Sequence, residues 1–265
     1  MLMTGLAQLR FAVSLVLGRP FSLWALERLI DAIGETQHEF GTVGADAAAM
    51  IQGPALDEAD RRELQLRRFR MQAVRAAQET PYYRRLFAQL RIDPARLCSA
   101  EMATLPPTPK EALREEPDAF VRATAKPAFR TTTTGTTGKP TGVCFSAHEM
   151  QTYIAFSAIS LLLQHQVTAA DIVQLSTSAR ATLGNTCFAH ACERIGALWY
   201  QTGLVDPAQS LALLAERHAI AGKKERVSFL NTYASYLGQL VEDGLAAGYQ
   251  PVDFGLERIS VGVKW

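Results

Sequence analysis

The residues best suited to chemistry lie in one short segment, residues 131–142, which reads TTTTGTTGKPTG. Gly135 and Gly138 let the backbone approach an anion closely and adopt positive φ angles. Threonine hydroxyl groups offer side-chain donors, and one lysine adds a compensating positive charge. These donors and this charge come from Thr133, Thr134, Thr136, Thr137 and Lys139. The segment therefore predicts a loop that binds a polyphosphate, with ATP as the expected ligand.

The loop is not a Walker A motif, although it contains a Gly-Lys pair. In G-x-x-x-x-G-K-[ST] the first glycine would fall on Thr133, and Pro140 stands where a Mg²⁺-binding Ser or Thr is required. The sequence thus disfavours a P-loop NTPase.

The residues around the loop predict the strands that position it. Phe129 and the run Thr131–Thr134 favour a strand rich in β-branched residues, and 143–145 predict a returning strand. Ser146 and Glu149 form a capping-box pattern, which predicts that a helix begins there. A Thr/Gly-rich hairpin without a ligand is the alternative interpretation.

Residues Thr133–Gly142 resemble the phosphate loop of adenylate-forming enzymes, usually written [ST]-[ST]-G-[ST]-T-G-x-P-x-G. The resemblance implies that Thr133–Lys139 bind the nucleotide. It also implies activation of a carboxylic acid through an acyl-adenylate, with ATP and Mg²⁺ as cofactors and CoA as a further candidate ligand. The small-molecule partners would be a nucleotide and a carboxylic acid.

Two further elements resemble one branch of this superfamily. Residues 81–84 match P-x-Y-r, and residues 105–114 match L-P-x-t-x-K-x-x-L-r. Both occur, in this order, in the group of phenylacetate-CoA ligase, coenzyme F390 synthetase and CapK-like proteins. The resemblance extends from about Thr80 to Ile259.

The same resemblance implies an acyl pocket in the second half of the chain. Residues 193–197 match E-R-x-G-A, and the stretch before them, which holds Leu183, Gly184 and Asn185, lines the acyl site in this group. Residues 233–237 are similar to T-P-S-Y-L, which adds Tyr236 to the pocket. Aromatic residues that merely cover a sheet edge are an equal alternative. No catalytic residue is assigned, and the acid stays unspecified.

Periodicity predicts an α/β fold with a doubly wound, largely parallel sheet over residues 121–265, preceded by a helical region over residues 1–120. Ligands are expected at the carboxyl ends of the strands. The predicted strands and helices are strands 172–175, 197–200, 227–230 and one beginning at 259, and helices 147–166, 185–194, 207–219 and 234–247.

Two segments of the first half have open interpretations. Leu6–Leu17 predicts an apolar docking helix that is too short to span a bilayer, and its flanking Arg10 and Arg19 leave membrane-surface association open. Residues 57–80 predict a long arginine-rich helix. A solvated basic face is preferred over a patch for nucleic acid or CoA phosphate.

Composition restricts the remaining classes. The 265 residues are 48% hydrophobic and 20% charged, which fits one large or two modest globular domains. A net charge of +1 indicates no bulk attraction to nucleic acid. The four cysteines, on a chain without an export signal, predict reduced thiols and a cytoplasmic location. Cys187, His190 and Cys192 fit no common zinc spacing, so core positions are preferred and no metal ligand is assigned.

The end of the sequence departs from the family pattern. Gly262 is the only match to a Gly-Gly-Glu or Gly-Ala-Glu element that borders the adenine in the family. The later Tyr-Gly-x-Thr-Glu segment, the ribose-binding aspartate and the mobile C-terminal cap domain are lacking. The sequence therefore predicts a C-terminally truncated member with an incomplete sheet and impaired turnover.

Three hypotheses remain. The first is a partial adenylate-forming ligase, whose site a second chain could complete. The second is a non-catalytic module that binds a nucleotide or an acyl group. The third is an interaction protein linked to polysaccharide biosynthesis.

Overall fold

The computed structural model describes residues 2–41, 57–133, 140–178 and 182–262. The helices are α1 (Leu2–Leu17), α2 (Leu23–Phe40), α3 (Glu58–Glu79), α4 (Pro81–Leu90), α5 (Ser99–Thr104), α6 (Lys110–Glu115), α7 (Ala147–Leu163), α8 (Leu183–Arg194), α9 (Pro207–Ala215) and α10 (Ala234–Ala246). The strands are β1 (Pro127–Thr132), β2 (Gly142–Ser146), β3 (Ile172–Ser176), β4 (Leu198–Gln201), β5 (Phe229–Tyr233) and β6 (Arg258–Gly262).

The chain divides into two compact units. One unit comprises residues 1–26 and 52–152, and the other comprises residues 27–51 and 153–265. Both α2 and α7 therefore pass from one unit into the other. The boundary at residue 120, which the sequence predicts between helices and sheet, stays a prediction.

The first unit begins with α1, the apolar helix that the sequence predicts. Arg67 of α3 donates a hydrogen bond of 2.9 Å to the carbonyl oxygen of Val16, which ties the last turn of α1 to α3. Gly18 follows with a φ angle of +60°, a conformation that glycine adopts without strain. Within the described residues, no helix combines the length and apolarity needed to cross a bilayer.

The two sequence signatures contact each other in this unit. The Tyr83 hydroxyl group lies 3.0 Å from the Thr108 hydroxyl group, and the Tyr82 ring stacks on the Phe120 ring at a centroid distance of 4.2 Å. The element around Pro81 thereby supports the element that leads to Arg114.

Strands β1 and β2 pair antiparallel, with Thr131 opposite Val143, as the sequence predicts. The capping box that begins α7 is also confirmed. The Ser146 backbone N–H donates to the Glu149 carboxylate at 2.7 Å, and the Glu149 N–H donates to the Ser146 hydroxyl oxygen at 3.2 Å.

The second unit contains a parallel sheet with the strand order β4-β3-β5-β6 among the described residues. Every residue of β3 is buried, because strands lie on both sides of it and helices cover both sheet faces. On one face Phe188 of α8 packs on Phe229 of β5, with ring centroids 6.1 Å apart. On the other, α9 and α10 pack against Ile172 and Leu230. The predicted doubly wound α/β fold is confirmed.

Helix α9 is shorter than predicted. It ends at Ala215, whereas the sequence pattern continues to about Ala219. Residues after Ala215 turn toward the segment before β5, where the His218 backbone N–H donates to the Glu225 carbonyl oxygen at 2.7 Å. A tertiary hydrogen bond thus replaces the next helical turn.

Candidate nucleotide and acyl site

The strand order creates a switch point between β3 and β5. The chain leaves β3 toward β4 on one side, and it leaves β5 toward β6 on the other. In open α/β sheets, ligands bind in the crevice outside the carboxyl ends of such a strand pair. The residues that follow β3 and β5 are therefore the candidate site of this unit.

Asn185 is the predicted acyl-pocket residue that the structure brings to this crevice. It lies on the first turn of α8, where the Thr182 hydroxyl oxygen caps the helix by accepting a hydrogen bond from the Asn185 N–H at 3.3 Å. The Asn185 side-chain nitrogen donates to the Ser178 carbonyl oxygen at 2.7 Å, and its oxygen accepts from the Thr177 hydroxyl group at 3.2 Å. Leu183 and Gly184 lie beside it on the same turn.

Tyr233, the last residue of β5, closes the other side of the crevice. Its hydroxyl oxygen accepts a hydrogen bond of 3.5 Å from the Ser178 backbone N–H. Gly262 at the end of β6 lies beside this ring, and a Cβ atom there would make an ordinary contact of 3.6 Å with Tyr233 Cδ1. The sequence places Tyr233 in the element similar to T-P-S-Y-L, whose aromatic residues either line the pocket or cover the sheet edge, and the structure places it three residues beyond the predicted strand end, as the last residue of β5.

Tyr236, in contrast, lies in the core. It is 8% exposed in the cluster formed by α9 and α10, and its hydroxyl group donates to the Val205 carbonyl oxygen at 2.6 Å. Its assignment to the acyl pocket stays a prediction.

A buried polar network fixes the end of β3 under the crevice. The Gln174 side chain donates to the Ser176 and Ser210 hydroxyl oxygens at 3.0 and 2.9 Å, and it accepts from the Tyr200 hydroxyl group at 2.9 Å. The Thr232 hydroxyl group donates to the Ser176 carbonyl oxygen at 2.9 Å. Burial raises the pKa of Tyr200, and the nearby Glu216 carboxylate adds to the rise. No pattern in the sequence indicates this network.

The predicted nucleotide residues follow β1 in the sequence, and Thr133 is the one that the structure describes. Thr134, Gly135, Thr136, Thr137, Gly138 and Lys139 lie outside the described residues. Thr133 is described and closes the hairpin: its backbone N–H donates to the Thr141 carbonyl oxygen at 3.0 Å, and its hydroxyl oxygen accepts from the Thr141 N–H at 3.1 Å. Both ends of the predicted loop are thus held together.

Two arginines flank the base of this hairpin. Arg114, the last residue of the second signature, donates to the Thr141 hydroxyl oxygen at 3.3 Å. A Cβ atom on Gly142 would lie 3.0 Å from a guanidinium nitrogen of Arg130, so the glycine allows that side chain to lie against the strand. Arg114 also forms an ion pair with Glu111, at 3.4 Å.

The cysteine cluster is explained by packing. Cys187 and Cys192 are buried in α8, and burial raises the pKa of Cys192 to about 12. His190 instead pairs with Glu193 at 3.1 Å on the exposed side. Across the described ranges, no three His, Cys, Asp or Glu side chains are grouped so as to hold a metal ion.

Comparison with solved structures identifies the fold. A 2-hydroxyisobutyryl-CoA ligase in complex with 2-HIB-AMP and CoA matches with a TM-score of 0.62 and 21% identity, over 77% of this chain and 43% of that one. The fold is that of an adenylate-forming ligase. The same enzyme in an open conformation, also with 2-HIB-AMP and CoA, matches with a TM-score of 0.61 and 20% identity, over 76% of this chain and 47% of that one.

This chain spans less than half the length of those ligases, so it corresponds to a part of their fold. No protein-family model matches the chain, and no curated protein matches it significantly.

Proposed function

We propose that this chain is the nucleotide- and acyl-binding part of an enzyme that activates a carboxylic acid as its acyl-adenylate. One observation carries the proposal: a phosphate-loop motif occurs in a chain with the fold of ligases whose structures hold an acyl-AMP. The phenylacetate-CoA ligase-like branch is proposed on the two signatures around Pro81 and Lys110.

In the proposed reaction, a carboxylate oxygen of the acid attacks the α-phosphorus of ATP. A new C–O–P linkage forms, the bond to the β-phosphate oxygen breaks, and pyrophosphate leaves with the bonding electron pair. Acceleration would come from alignment of the two reactants and from neutralisation of the developing charge. The segment Thr133–Lys139 would hold the leaving pyrophosphate.

The acyl group would occupy the crevice at the switch point. On the first turn of α8, Leu183 offers an apolar side chain and Gly184 leaves open space beside it. Hydrogen bonds to Ser178 and Thr177 hold the Asn185 side chain in place. These residues orient the acid, and no proton transfer is assigned to them.

Among the residues that the structure describes, no group of three or more His, Cys, Asp or Glu side chains is arranged to bind Mg²⁺. Magnesium is commonly bound through phosphate oxygens with few protein ligands, so we propose that it arrives with ATP, and no step depends on its position. CoA is the proposed acceptor, because the ligases of the same fold were crystallised with it.

A second polypeptide is proposed to complete the site. Strand β6 is the last strand of the described sheet, and its Ile259 and Val261 are 45% and 43% exposed. An apolar groove of about 320 Å³ beside it is lined by Leu240, Leu245 and other residues of α10. Such an edge can accept a further strand. We also propose, on the family resemblance alone, that this chain by itself has little turnover.

A non-catalytic binding module is the second candidate. The Asn185 amide bonds to the Ser178 carbonyl oxygen and Tyr236 lies in the core, so neither residue provides a proton-transfer group in the crevice. A link to polysaccharide biosynthesis stays a prediction. A cytoplasmic location is proposed because Cys98, Cys144, Cys187 and Cys192 form no disulfide.

The test is ATP titration by calorimetry, followed by a pyrophosphate-exchange assay over a panel of aryl and aliphatic acids. ATP binding that is lost in Lys139→Ala and kept in Lys126→Ala, an exposed lysine just before β1, supports the proposal. Failure of the native chain to bind ATP overturns it. Pyrophosphate exchange that depends on an added carboxylic acid, with this chain alone, supports activation of that acid and contradicts the expectation of impaired turnover.

A further inference from the structure

Helix α1 exposes an apolar stripe that no described part of the protein covers. The stripe consists of residues at alternating spacings of four and three, on one helical face: Leu2, Leu6, Leu9, Val13 and Val16. Leu2 is 89% exposed and Leu9 is 60% exposed. The other face packs on the protein, with Ala7 fully buried and Ser14 9% exposed. Large apolar side chains arranged in this way on a surface usually mark an interaction site.

The charged side chains within residues 1–26 have one sign. Residues 1–26 contain no aspartate or glutamate, and their charged side chains are Arg10 and Arg19. Arg10 borders the stripe and lies over the Trp24 ring at 5.6 Å. At the other end of the helix, Arg67 binds the Val16 carbonyl oxygen. An apolar stripe bordered by positive charges complements a surface whose interior is apolar and whose outer groups carry negative charge.

Two other occupants fit this helix less well. A coiled coil with a second copy requires about three to four heptads, whereas the stripe covers two, and it would bring the same arginines together. Insertion across a bilayer is excluded by length, because sixteen residues extend about 24 Å and the hydrocarbon core is about 30 Å thick.

We propose that α1 is an interfacial helix that docks the protein on anionic lipid. The leucine and valine side chains enter the boundary between headgroups and acyl chains, while Arg10 and Arg19 remain at the level of the phosphate groups. The ligand class is a phospholipid bilayer surface with negative headgroups. The enzyme would then work next to a membrane without spanning it.

Flotation of the full chain with vesicles tests this proposal. Vesicles of phosphatidylcholine with phosphatidylglycerol should carry the protein upward, and pure phosphatidylcholine vesicles should carry much less. Leu6→Gln combined with Leu9→Gln should lower the bound fraction by about tenfold or more, because two apolar contacts with the bilayer are lost. Arg10→Gln combined with Arg19→Gln should abolish the preference for anionic vesicles.

The matched control is Ile220→Gln combined with Val252→Gln, which removes two exposed apolar side chains outside α1 and should leave flotation unchanged. Circular dichroism confirms that each variant is folded. Absence of flotation with anionic vesicles overturns the proposal. A dimer in light scattering that the α1 variant abolishes, without vesicle binding, overturns it in favour of self-association.

Discussion

The side-chain nitrogen of Asn185 donates a hydrogen bond of 2.7 Å to the carbonyl oxygen of Ser178. This bond joins the start of α8 to the loop after β3, so it shapes the candidate acyl crevice. Asn185→Ala should lower the free energy of unfolding by about 1–2 kcal/mol, because the partly buried carbonyl oxygen loses its best donor. Urea unfolding measures the change.

Gln201→Ala is the control for this bond. Gln201 is exposed and donates to the same Ser178 oxygen at 3.1 Å, so its loss can be replaced by water and should cost less than about 0.5 kcal/mol. Equal losses in the two variants would show that the Asn185 bond has no special role.

The buried Gln174 network should be costly to break. Gln174→Ala leaves the hydroxyl groups of Ser210 and Tyr200 without this partner and creates a cavity, so unfolding should become easier by about 2–4 kcal/mol. Gln164→Ala is matched in chemistry, because Gln164 accepts from Ser160 on an exposed surface, and its effect should be small. Chemical denaturation of both variants gives the comparison; a difference below the error of the measurement contradicts it.

The lowered pKa of Asp171 predicts that the free energy of unfolding decreases in acid. Burial by itself would raise the pKa of this fully buried carboxyl group, but the bonds from Lys224, Ser228 and Thr168 and the charge of Arg258 outweigh burial and hold the pKa below its usual value. The ionised group therefore stabilises the fold above about pH 4, and this contribution disappears as the pH falls through the lowered pKa.

Asp171→Asn should consequently destabilise the protein by about 3 kcal/mol at neutral pH. Below about pH 4 the difference from the native protein should shrink, because the native carboxyl group becomes neutral as well. Glu225→Gln is the control, since its pair with Arg217 is exposed on both sides. Thermal unfolding across the pH range checks this, and a constant difference at every pH would contradict it.

Two glycines should respond to alanine in opposite ways. A Cβ atom at Gly255 would lie 2.7 Å from the Cβ atom of Arg226 and 3.3 Å from the Val227 carbonyl oxygen, so Gly255→Ala should cost about 1–3 kcal/mol. At Gly238, inside α10, nothing lies within 4 Å, and Gly238→Ala should stabilise the helix by about 0.5–1 kcal/mol. Melting temperatures should therefore shift down and up, respectively, and shifts of the same sign would refute the steric explanation.

The sequence identified most strands and helices because their patterns are local. Strand β3 is a short apolar run that follows Asp171, and Gly248, which has a φ angle of +85°, marks the end of α10. Boundaries were less accurate. The pattern extended α7 to Gln166, but the helix ends at Leu163, and Gln166 takes a positive φ angle of +52° while Val167 turns back to bind the Leu161 carbonyl oxygen.

The contacts that shape the candidate site could not be predicted in the same way. Gln174 and Ser210 are 36 positions apart, and Asp171 and Arg258 are 87 positions apart, so no periodic pattern relates them. Likewise, the hydrogen bond between Ser178 and Tyr233, which are 55 positions apart, depends on the pairing of β3 with β5. Such relations depend on strand order, which follows from the packing of the whole unit.

The pairing of β3 with β5 also has a consequence during synthesis. Thr232 bonds to Ser176 across 56 positions, so a ribosome must release α8, β4 and α9 before the central strand gains its second neighbour. Until then, a strand that is buried along its whole length in the folded unit has one open flank, which is a recognised cause of misassembly in nascent chains. Chaperone demand should therefore peak between the emergence of Ser176 and that of Tyr233.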